Sequence, residues 1–230
     1  MQNGAIVAVE NLVKRYPMGG KHFTALNGIS LSFGTGEFAG IVGPSGSGKT
    51  TLLNIIGSLD SPSEGSATVI GQSITSLSQK EAALLRKKYL GFIFQTFNLL
   101  PVYTVYENVE FPLLLLGMSA GDRKKAVLDA LEWVGLTDKI SSRPAQLSGG
   151  ECQRVAIARA MVKKPRLVLA DEPTANLDAA NSHHILKTLL KLNEDLQTTF
   201  IFATHDDKVI QYLKRKITLE DGKVVKDVTV

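Results

Sequence analysis

The chain has 230 residues, of which 44% are hydrophobic, with one cysteine and a formal net charge of +4. This length and apolar content fit a single domain that spans residues 1–230, and one cysteine excludes an internal disulfide bond. No apolar run approaches the roughly 18 residues of a membrane span, no basic-then-apolar leader is evident, and the scattered basic residues lack the interleaved aromatic residues of a nucleic-acid-binding surface.

The predicted strands change in character along the chain. Residues 29–33 alternate between apolar and polar, which is typical of an antiparallel strand with one face in water. Three later runs are continuously apolar, which is typical of parallel strands covered on both faces. These runs are residues 38–42, 167–170 and 200–203. Residues 217–225 predict a hairpin that turns at Asp221-Gly222.

Helical patterns lie between these strands. They cover residues 49–59, 123–134, 149–162 and 181–195. Pro165 ends the third helix, because proline cannot continue it. The alternation predicts an α/β fold with a mainly parallel sheet, an N-terminal antiparallel β subdomain and a helical insertion at about 85–160.

A phosphate-binding loop follows the apolar strand 38–42. Residues 43–50 match G-x-x-x-x-G-K-[ST] and lead directly into a predicted helix. Glycines let backbone N–H groups point at phosphate oxygens, Lys49 can reach the β- and γ-phosphates, and the Thr50 hydroxyl can bind Mg²⁺. The alternative is a glycine-rich turn around a buried lysine stem. The predicted nucleotide-binding residues are Gly43, Pro44, Ser45, Gly46, Ser47, Gly48, Lys49, Thr50 and Thr51.

Two acidic residues, Asp171 and Glu172, end the apolar strand 167–170. The carboxyl ends of parallel strands face the ligand, so Asp171 is expected to hold Mg²⁺ directly or through water. Neighbouring side chains on a strand point in opposite directions, so Glu172 is predicted to deprotonate the attacking water instead. Without the phosphate loop, the pair would be interpreted as an ordinary acidic strand end.

A glycine-rich helix start lies about a hundred residues after the phosphate loop. Leu147-Ser148-Gly149-Gly150-Glu151 is followed by Gln153-Arg154. Ser148 is a good N-cap, and the two glycines leave backbone N–H groups accessible. An isolated Ser-Gly-Gly would more often be an ordinary capped helix.

The phosphate loop, the acidic pair and the extended Leu-Ser-Gly-Gly-Glu-x-Gln-Arg run together resemble the ATP-binding cassette (ABC) ATPases. The resemblance covers essentially the whole chain and implies a P-loop NTPase (RecA-like) core, ATP hydrolysis and Mg²⁺. It also implies a head-to-tail homodimer in the ATP-bound state. Ser148, Gly149, Gly150 and Glu151 would then complete the ATP site of the opposite chain.

The resemblance assigns roles to four further residues. Tyr16 would stack on adenine, and Gln95 would contact Mg²⁺ or the attacking water, so that Thr50, Gln95 and Asp171 form the metal set. Asp178 would cross between subunits, and His205 would contact the γ-phosphate. Each has a simpler alternative: strand-edge packing for Tyr16, a polar strand end for Gln95, a helix cap for Asp178 and a structural histidine at 205.

The resemblance also implies membrane partners, because a cassette without membrane spans works on separate permease subunits. The protein is then expected at the cytoplasmic face of the inner (plasma) membrane, without nucleic-acid partners. The apolar and aromatic segment 96–109 either lines a groove for a helix of the permease or packs internally. Residues 43–54, 97–101 and 169–178 resemble the lipoprotein-releasing and macrolide-export branch.

The predicted function is an ATPase that powers export or lipoprotein release through ATP-driven dimer closure and hydrolysis-driven opening. One alternative is a regulatory cassette of a cell-envelope or cell-division complex that transports nothing. Another is a soluble ABC protein of DNA repair or translation, but such proteins usually carry tandem cassettes or long insertions.

Overall fold

The computed structural model describes residues 4–230, which contain ten strands and seven α-helices. The strands are Ala5–Met18 (β1), Lys21–Gly34 (β2), Phe38–Val42 (β3), Glu64–Val69 (β4), Gln72–Ser73 (β5), Leu90–Ile93 (β6), Leu167–Asp171 (β7), Thr199–Thr204 (β8), Arg215–Glu220 (β9) and Lys223–Thr229 (β10). The helices are Lys49–Ile56 (α1), Gln79–Tyr89 (α2), Val105–Leu116 (α3), Ala120–Trp133 (α4), Gly149–Met161 (α5), Ala179–Leu196 (α6) and Asp207–Ile210 (α7).

The larger sheet has the strand order β10-β9-β3-β8-β7-β6. Its neighbours pair in parallel except for β10, which pairs antiparallel with β9. All residues of β8 are buried, and so are the first four residues of β3 and β7. The continuously apolar runs therefore form central parallel strands, as predicted. The predicted hairpin is confirmed, with Asp221 and Gly222 at φ 44° and 72°.

The smaller sheet is antiparallel, with the order β2-β1-β4-β5. Its two long strands, β1 and β2, form a ribbon whose register shifts several times. At one of these irregularities Asn11 has φ 48°, and its backbone N–H donates to Ser30 Oγ at 2.9 Å. The ribbon carries Tyr16 near its far end, where Tyr16 pairs with Phe23.

Apolar side chains cover both faces of the parallel sheet. On one face, the ring centroid of Phe38 lies 5.6 Å from that of Phe200 and 4.7 Å from that of Phe202, and helices α3 to α6 pack over this cluster. On the other face, Ile41 and Ile201 pack with α1 and with the antiparallel sheet. Full burial of each such side chain stabilises the fold by roughly 1.5–3 kcal/mol. This packing fixes the positions of the strand ends.

Helices α3 to α5 make up most of the predicted helical insertion. Thr104 with Glu107 and Ser148 with Glu151 form capping boxes that fix the starts of α3 and α5. The predicted range 85–160 also contains β6, which pairs with β7 as the edge strand of the parallel sheet. None of the helices within residues 4–230 has the length and hydropathy to cross a membrane.

Candidate active site

The phosphate loop connects β3 to α1 and adopts backbone conformations that favour glycine. Gly43, Gly46 and Gly48 have φ of 154°, 81° and 101°. A Cβ at Gly43 would lie 2.1 Å from the Leu219 carbonyl oxygen, and a Cβ at Gly48 would lie 2.5 Å from that of Ala25. Side chains at positions 43 and 48 are therefore excluded, and the N–H groups of the loop stay open to an anion.

Lys49 is 6% exposed and folds back over the loop. Its Nζ donates to the carbonyl oxygens of Gly43 and Pro44, each at 2.8 Å. Burial lowers the pKa of Lys49, although the carboxylates of Glu172 and Asp171 act in the opposite direction. The buried Ser47 Oγ has no hydrogen-bond partner within the described residues. The Lys49 ammonium, bound to backbone carbonyl oxygens, and the unpaired Ser47 hydroxyl fit a loop that binds phosphate.

Thr50 and Asp171 meet at the carboxyl edge of the sheet. The Thr50 hydroxyl donates to Asp171 Oδ1 at 3.0 Å. Burial raises the pKa of Asp171, while the hydrogen bond from Thr50 opposes that change. No group of three or more His, Cys, Asp or Glu residues that could hold a metal ion occurs within residues 4–230. This pair of oxygens fits Mg²⁺, which is usually held by one or two carboxylates together with phosphate and water.

Glu172 has different partners from Asp171, as expected, although it follows β7 in a turn rather than continuing the strand. Its Oε2 accepts a hydrogen bond from the Thr204 hydroxyl at 3.0 Å, and its Oε1 lies 2.6 Å from His205 Nδ1. The Glu172 side chain is 14% exposed and that of His205 is 58% exposed. The two residues come from the ends of neighbouring strands β7 and β8, so the fold places the predicted base and the predicted γ-phosphate sensor side by side.

Gln95 follows β6, at the same edge of the sheet, and is exposed. Its carbonyl oxygen accepts a hydrogen bond from Asn176 Nδ2 at 2.8 Å. Within residues 4–230 no side-chain hydrogen bond joins Gln95 to Thr50 or Asp171. The predicted three-residue metal set is therefore only partly assembled in this structure.

Tyr16 lies close to Thr51, in the first turn of α1. Its hydroxyl donates to Asp60 Oδ2 at 2.8 Å, and the same hydroxyl interacts with Thr51. Lys14 Nζ lies over the Tyr16 ring, 4.8 Å from its centroid. Tyr16 therefore lies at the strand edge, paired with Phe23, with its hydroxyl held by Asp60.

The predicted signature run begins α5. The Glu151 N–H donates to Ser148 Oγ at 3.2 Å, and the Ser148 N–H donates to Glu151 Oε2 at 2.8 Å. The hydrogen bond that the Ser148 backbone N–H donates to the carboxylate is the main cause of the lowered pKa of Glu151. Ser148 and Gly149 are exposed. A Cβ on Gly149 would have Asn176, Phe97 and Leu177 as its nearest neighbours, so within its own chain the run borders the 176–178 segment rather than the phosphate loop.

Asp178 caps α6, which is the simpler alternative considered for it. Its Oδ1 accepts from the Asn181 backbone N–H at 2.8 Å, and its Oδ2 accepts from Asn181 Nδ2 at 2.7 Å. The backbone hydrogen bond from Asn181 is the main cause of the lowered pKa of Asp178. The cap does not exclude a contact with a second chain, because Asp178 is at the surface.

Sequence patterns missed the contacts of three residues that support the site. Asp60 holds Tyr16, Arg159 donates to the Phe97 and Asn98 carbonyl oxygens at 2.7 and 2.6 Å, and Gln153 Nε2 donates to the Pro173 carbonyl oxygen at 2.7 Å. Gln153 and Arg159 join α5 to segments near the acidic pair and Gln95. These partners are far apart in sequence, so spacing gave no signal for Asp60 or Arg159, and the Gln153-Arg154 motif gave no hint of what Gln153 contacts.

Known proteins resemble this chain along most of its length. A family model described as "ABC transporter" matches residues 26–175. The lipoprotein-releasing system ATP-binding protein LolD of Pseudoalteromonas translucida (strain TAC 125) is 47% identical over 222 residues, which are 96% of either chain. The macrolide export ATP-binding/permease protein MacB of Burkholderia pseudomallei (strain 1710b) is 43% identical over 224 residues. These are 97% of this chain but 34% of MacB.

Solved structures agree with these relatives. The ATP-binding cassette MJ0796, in a dimeric post-hydrolysis state bound to ADP and Pi, has a TM-score of 0.90 at 42% identity. The match covers 97% of this chain and 98% of that one. The fold is therefore the ABC ATPase fold that the motifs predicted, and the likeness to LolD and MacB agrees with the predicted branch. The chain belongs to the ABC transporter family and is an ATP-hydrolysing, nucleotide-binding subunit.

Proposed function

We propose that residues 1–230 form one ATP-binding domain. ATP is hydrolysed at a composite site between two copies of this domain. One copy contributes the phosphate loop, Tyr16, Gln95, Asp171, Glu172 and His205. The second copy contributes residues 148–151 and Asp178. The observation that carries the proposal is the pair of opposed contacts at one strand end, where Asp171 meets Thr50 while Glu172 meets His205.

The chemistry follows from these positions. Lys49 and the N-terminus of α1 offset phosphate charge. Thr50 and Asp171 would hold Mg²⁺, which supplies charge neutralisation when bound. Glu172 would accept a proton from the attacking water, and His205 would sense the γ-phosphate beside it. Loss of that phosphate removes the contact that favours closure, so hydrolysis opens the dimer.

The exposed start of α5 supports a role in the opposite site. Ser148 and Gly149 are exposed although they begin a helix whose remaining residues are largely buried. A helix N-terminus with exposed N–H groups binds anions. ATP sandwiched between the phosphate loop of one copy and this helix of the other would hold the two copies together.

Replacing Ser148 with Phe tests this arrangement. We expect Ser148→Phe to abolish ATP-dependent dimerisation while the monomer still binds ATP, measured by light scattering and by equilibrium binding. Ser119→Phe is a matched control, because the Ser119 side chain also accepts a hydrogen bond at the start of its helix, α4, and is also exposed. Equal loss of binding and dimerisation in Ser148→Phe would contradict a role in the opposite chain.

A groove on the helical side offers a docking site for a membrane subunit. The groove encloses about 510 Å³ and is largely apolar, with Phe92, Phe94, Leu100, Phe111 and Leu115 in its lining. Its cations include Arg86, Arg159 and Lys163, and no acidic residue is among its described lining residues. We infer that it takes an apolar helix of the permease.

The predicted segment 96–109 contributes to this groove and also packs internally. Leu100 and Asn98 line the groove, whereas Val105 and Val109 are 1% and 0% exposed in the helical core. The segment therefore packs internally in part, and its other part lines the groove proposed for the permease.

Substitution of Leu115 tests the docking site. Leu115→Asp is expected to prevent co-purification with the permease while leaving ATP hydrolysis by the isolated chain unchanged. Leu114→Asp is the matched control, since Leu114 is similarly exposed on the same helix but does not line the groove. Undiminished co-purification of Leu115→Asp would exclude the groove as the docking site.

The likeness to LolD and MacB supports transport of the export or lipoprotein-release kind, with the protein held at the cytoplasmic face of the inner membrane by its permease. The alternative is a regulatory cassette whose cycling signals without transport. Co-purification from the native membrane separates the two: a permease among the bound proteins supports transport, whereas a division-site membrane protein alone supports regulation.

A further inference from the structure

Asp60 collects three hydrogen bonds from residues on two different layers of the fold. Its Oδ2 accepts from the Tyr16 hydroxyl at 2.8 Å, and its Oδ1 accepts from Lys14 Nζ at 2.6 Å and from the Ser61 N–H at 2.7 Å. Lys14 Nζ also donates to the Ser61 carbonyl oxygen at 2.7 Å. Tyr16 and Lys14 belong to the antiparallel sheet, whereas Asp60 belongs to the turn that follows α1.

That turn is fixed to the phosphate-binding helix. The N–H groups of Leu59 and Asp60 both donate to the Asn54 carbonyl oxygen, at 2.8 and 3.3 Å, and Ser58 has φ 53°. Asp60 therefore has a fixed position relative to α1, whose first turn carries Lys49 and Thr50. A hydrogen bond from Tyr16 to Asp60 accordingly sets the distance between the Tyr16 ring and the phosphate loop.

We propose that Asp60 is a positioning residue that holds the Tyr16 ring where the base of the nucleotide stacks, at a fixed distance from the phosphate loop. The inference rests on the proposed function, in which Tyr16 contacts the base. A ring that is already oriented loses less conformational entropy when the base binds, so the contact contributes to affinity for the nucleoside part of ATP.

Lys14 defines which face of the ring the base takes. Its Nζ lies over one face at 4.8 Å from the centroid and is held there by Asp60 and Ser61. The base would therefore stack on the opposite face. Asp60 thus acts on both partners of the ring: it binds the hydroxyl, and it anchors the cation that covers one side.

The protonation states suit this arrangement. Burial raises the pKa of Tyr16, as does its hydrogen bond to Asp60, so the phenol remains a donor. Burial alone would raise the pKa of Asp60, but the hydrogen bonds from Lys14 and Tyr16 outweigh it and hold that pKa below its ordinary value. The hydrogen bonds among Lys14, Tyr16 and Asp60, which we call the clamp, therefore form a charge-assisted network at neutral pH.

The test compares a ligand that has a base with one that does not. Dissociation constants for ATP and for inorganic tripolyphosphate, both with Mg²⁺, are measured for the wild type, Asp60→Ala, Tyr16→Phe and the double variant. Loss of a hydrogen bond of about 1 kcal/mol predicts roughly fivefold weaker ATP binding in either single variant. Tripolyphosphate binding should not change, and the double variant should bind ATP no more weakly than the single ones.

Glu64→Ala is the matched control, because Glu64 pairs with Arg15 on the same ribbon but does not contact Asp60 or Tyr16. Tyr16→Phe keeps the ring and the fold, so it decides the matter even where Asp60→Ala unfolds. Equal weakening of both ligands, or unchanged ATP binding in Tyr16→Phe, would overturn the clamp. A wild type that binds ATP no better than tripolyphosphate would instead refute the base-stacking role of Tyr16 in the proposed function.

Discussion

Glu172 has an unusual backbone for a residue at the end of a buried strand. Its φ is 45°, and its N–H donates to the Ala203 carbonyl oxygen at 2.9 Å. A non-glycine residue in this region costs roughly 1–3 kcal/mol and persists where the surroundings enforce it. Here the turn after β7 directs the carboxylate toward Thr204 and His205, away from Asp171, and this separates the two acidic groups in space.

Replacing Glu172 with Gln removes the proton acceptor without changing the size of the side chain. We expect Glu172→Gln to slow ATP hydrolysis by about 10²- to 10⁴-fold, the usual contribution of a general base. ATP binding should be retained, and ATP-bound dimers should persist longer. Steady-state phosphate release measures the effect, and turnover near that of the wild type would show that another group takes the proton.

Lys163 is a half-buried cation at the groove. Its Nζ donates to the Arg86 and Lys87 carbonyl oxygens at 2.7 and 2.9 Å, and burial lowers the pKa of Lys163 to about 8. The unfolded chain then binds more protons than the folded one between this pKa and the ordinary value of 10.5. The penalty for the buried charge is present below pH about 8, so stability is expected to rise as the pH increases through that window.

Chemical unfolding at several pH values measures this contribution. Between pH about 7 and about 9.5, the unfolding free energy of the wild type should gain roughly 2 kcal/mol relative to Lys163→Met. Lys164→Met is the control, because the neighbouring Lys164 is exposed and its removal should leave the pH profile of the wild type unchanged. Parallel pH profiles for the wild type and Lys163→Met would contradict the buried-cation account.

At the level of elements, α5 connects two parts of the site. Its N-terminus carries Ser148, and its last turns carry Arg159, which holds the turn after Gln95. Phe97 and Asn98 in that turn have φ of 61° and 51°, an uncommon conformation for two successive non-glycine residues. Burial lowers the pKa of Arg159, which has carbonyl rather than carboxylate partners. We expect any shift of α5 during dimer closure to move this turn and the groove that it borders.

The contact between α5 and α6 predicts contrasting effects for two adjacent glycines. A Cβ on Gly150 would lie 2.8 Å from Asn181 Oδ1, and Asn181 is bound to Asp178. Gly150→Ala should therefore cost about 1–3 kcal/mol of unfolding free energy, as overpacking does. Asn181→Ala in the same chain should restore part of this loss.

Gly149→Ala provides the comparison in a urea-unfolding series. The nearest neighbour of a Cβ there is Asn176 O at 3.7 Å, an ordinary contact. Stability should therefore change by less than about 0.5 kcal/mol, as for most substitutions without a steric conflict. Equal destabilisation by both substitutions would show that the Asn181 contact is not the cause.

Local patterns predicted the central strands, the C-terminal hairpin and four of the helices, because each of these carries its own signal. Residues 38–42 form β3 with the expected bounds, since a buried parallel strand is continuously apolar. Helix α1 ends at Ile56 rather than Leu59, because the chain turns at Gly57 and Ser58 while Leu59 prolongs the apolar pattern. Helix α6 begins at Ala179, two residues before the prediction, because Asp178 caps it.

The phosphate loop and the acidic pair could be predicted because their residues are consecutive. The Tyr16–Asp60 hydrogen bond spans 44 residues and the Arg159–Asn98 hydrogen bond spans 61. Neither has a repeating interval or a motif, and both depend on how the antiparallel sheet and the helices pack against the parallel core. Contacts of this kind follow from the assembled fold rather than from any segment.

At the scale of the whole molecule, the proposed function divides the nucleotide site into two halves, and each chain carries one of each. The phosphate loop, Glu172 and His205 lie at the carboxyl edge of the parallel sheet, while Ser148 and Gly149 are exposed on the helical part. The dimeric MJ0796 cassette with ADP and Pi supports joining such halves between two chains. Dimerisation that depends on ATP is therefore the central claim.

Light scattering of the purified Glu172→Gln variant, with and without ATP, tests this claim most directly. Without nucleotide the protein should have the mass of one chain, and with ATP and Mg²⁺ it should have the mass of two. Addition of Ser148→Phe to the same chain should return it to one. A stable dimer without nucleotide, or a monomer that binds ATP and stays a monomer, would contradict the composite site.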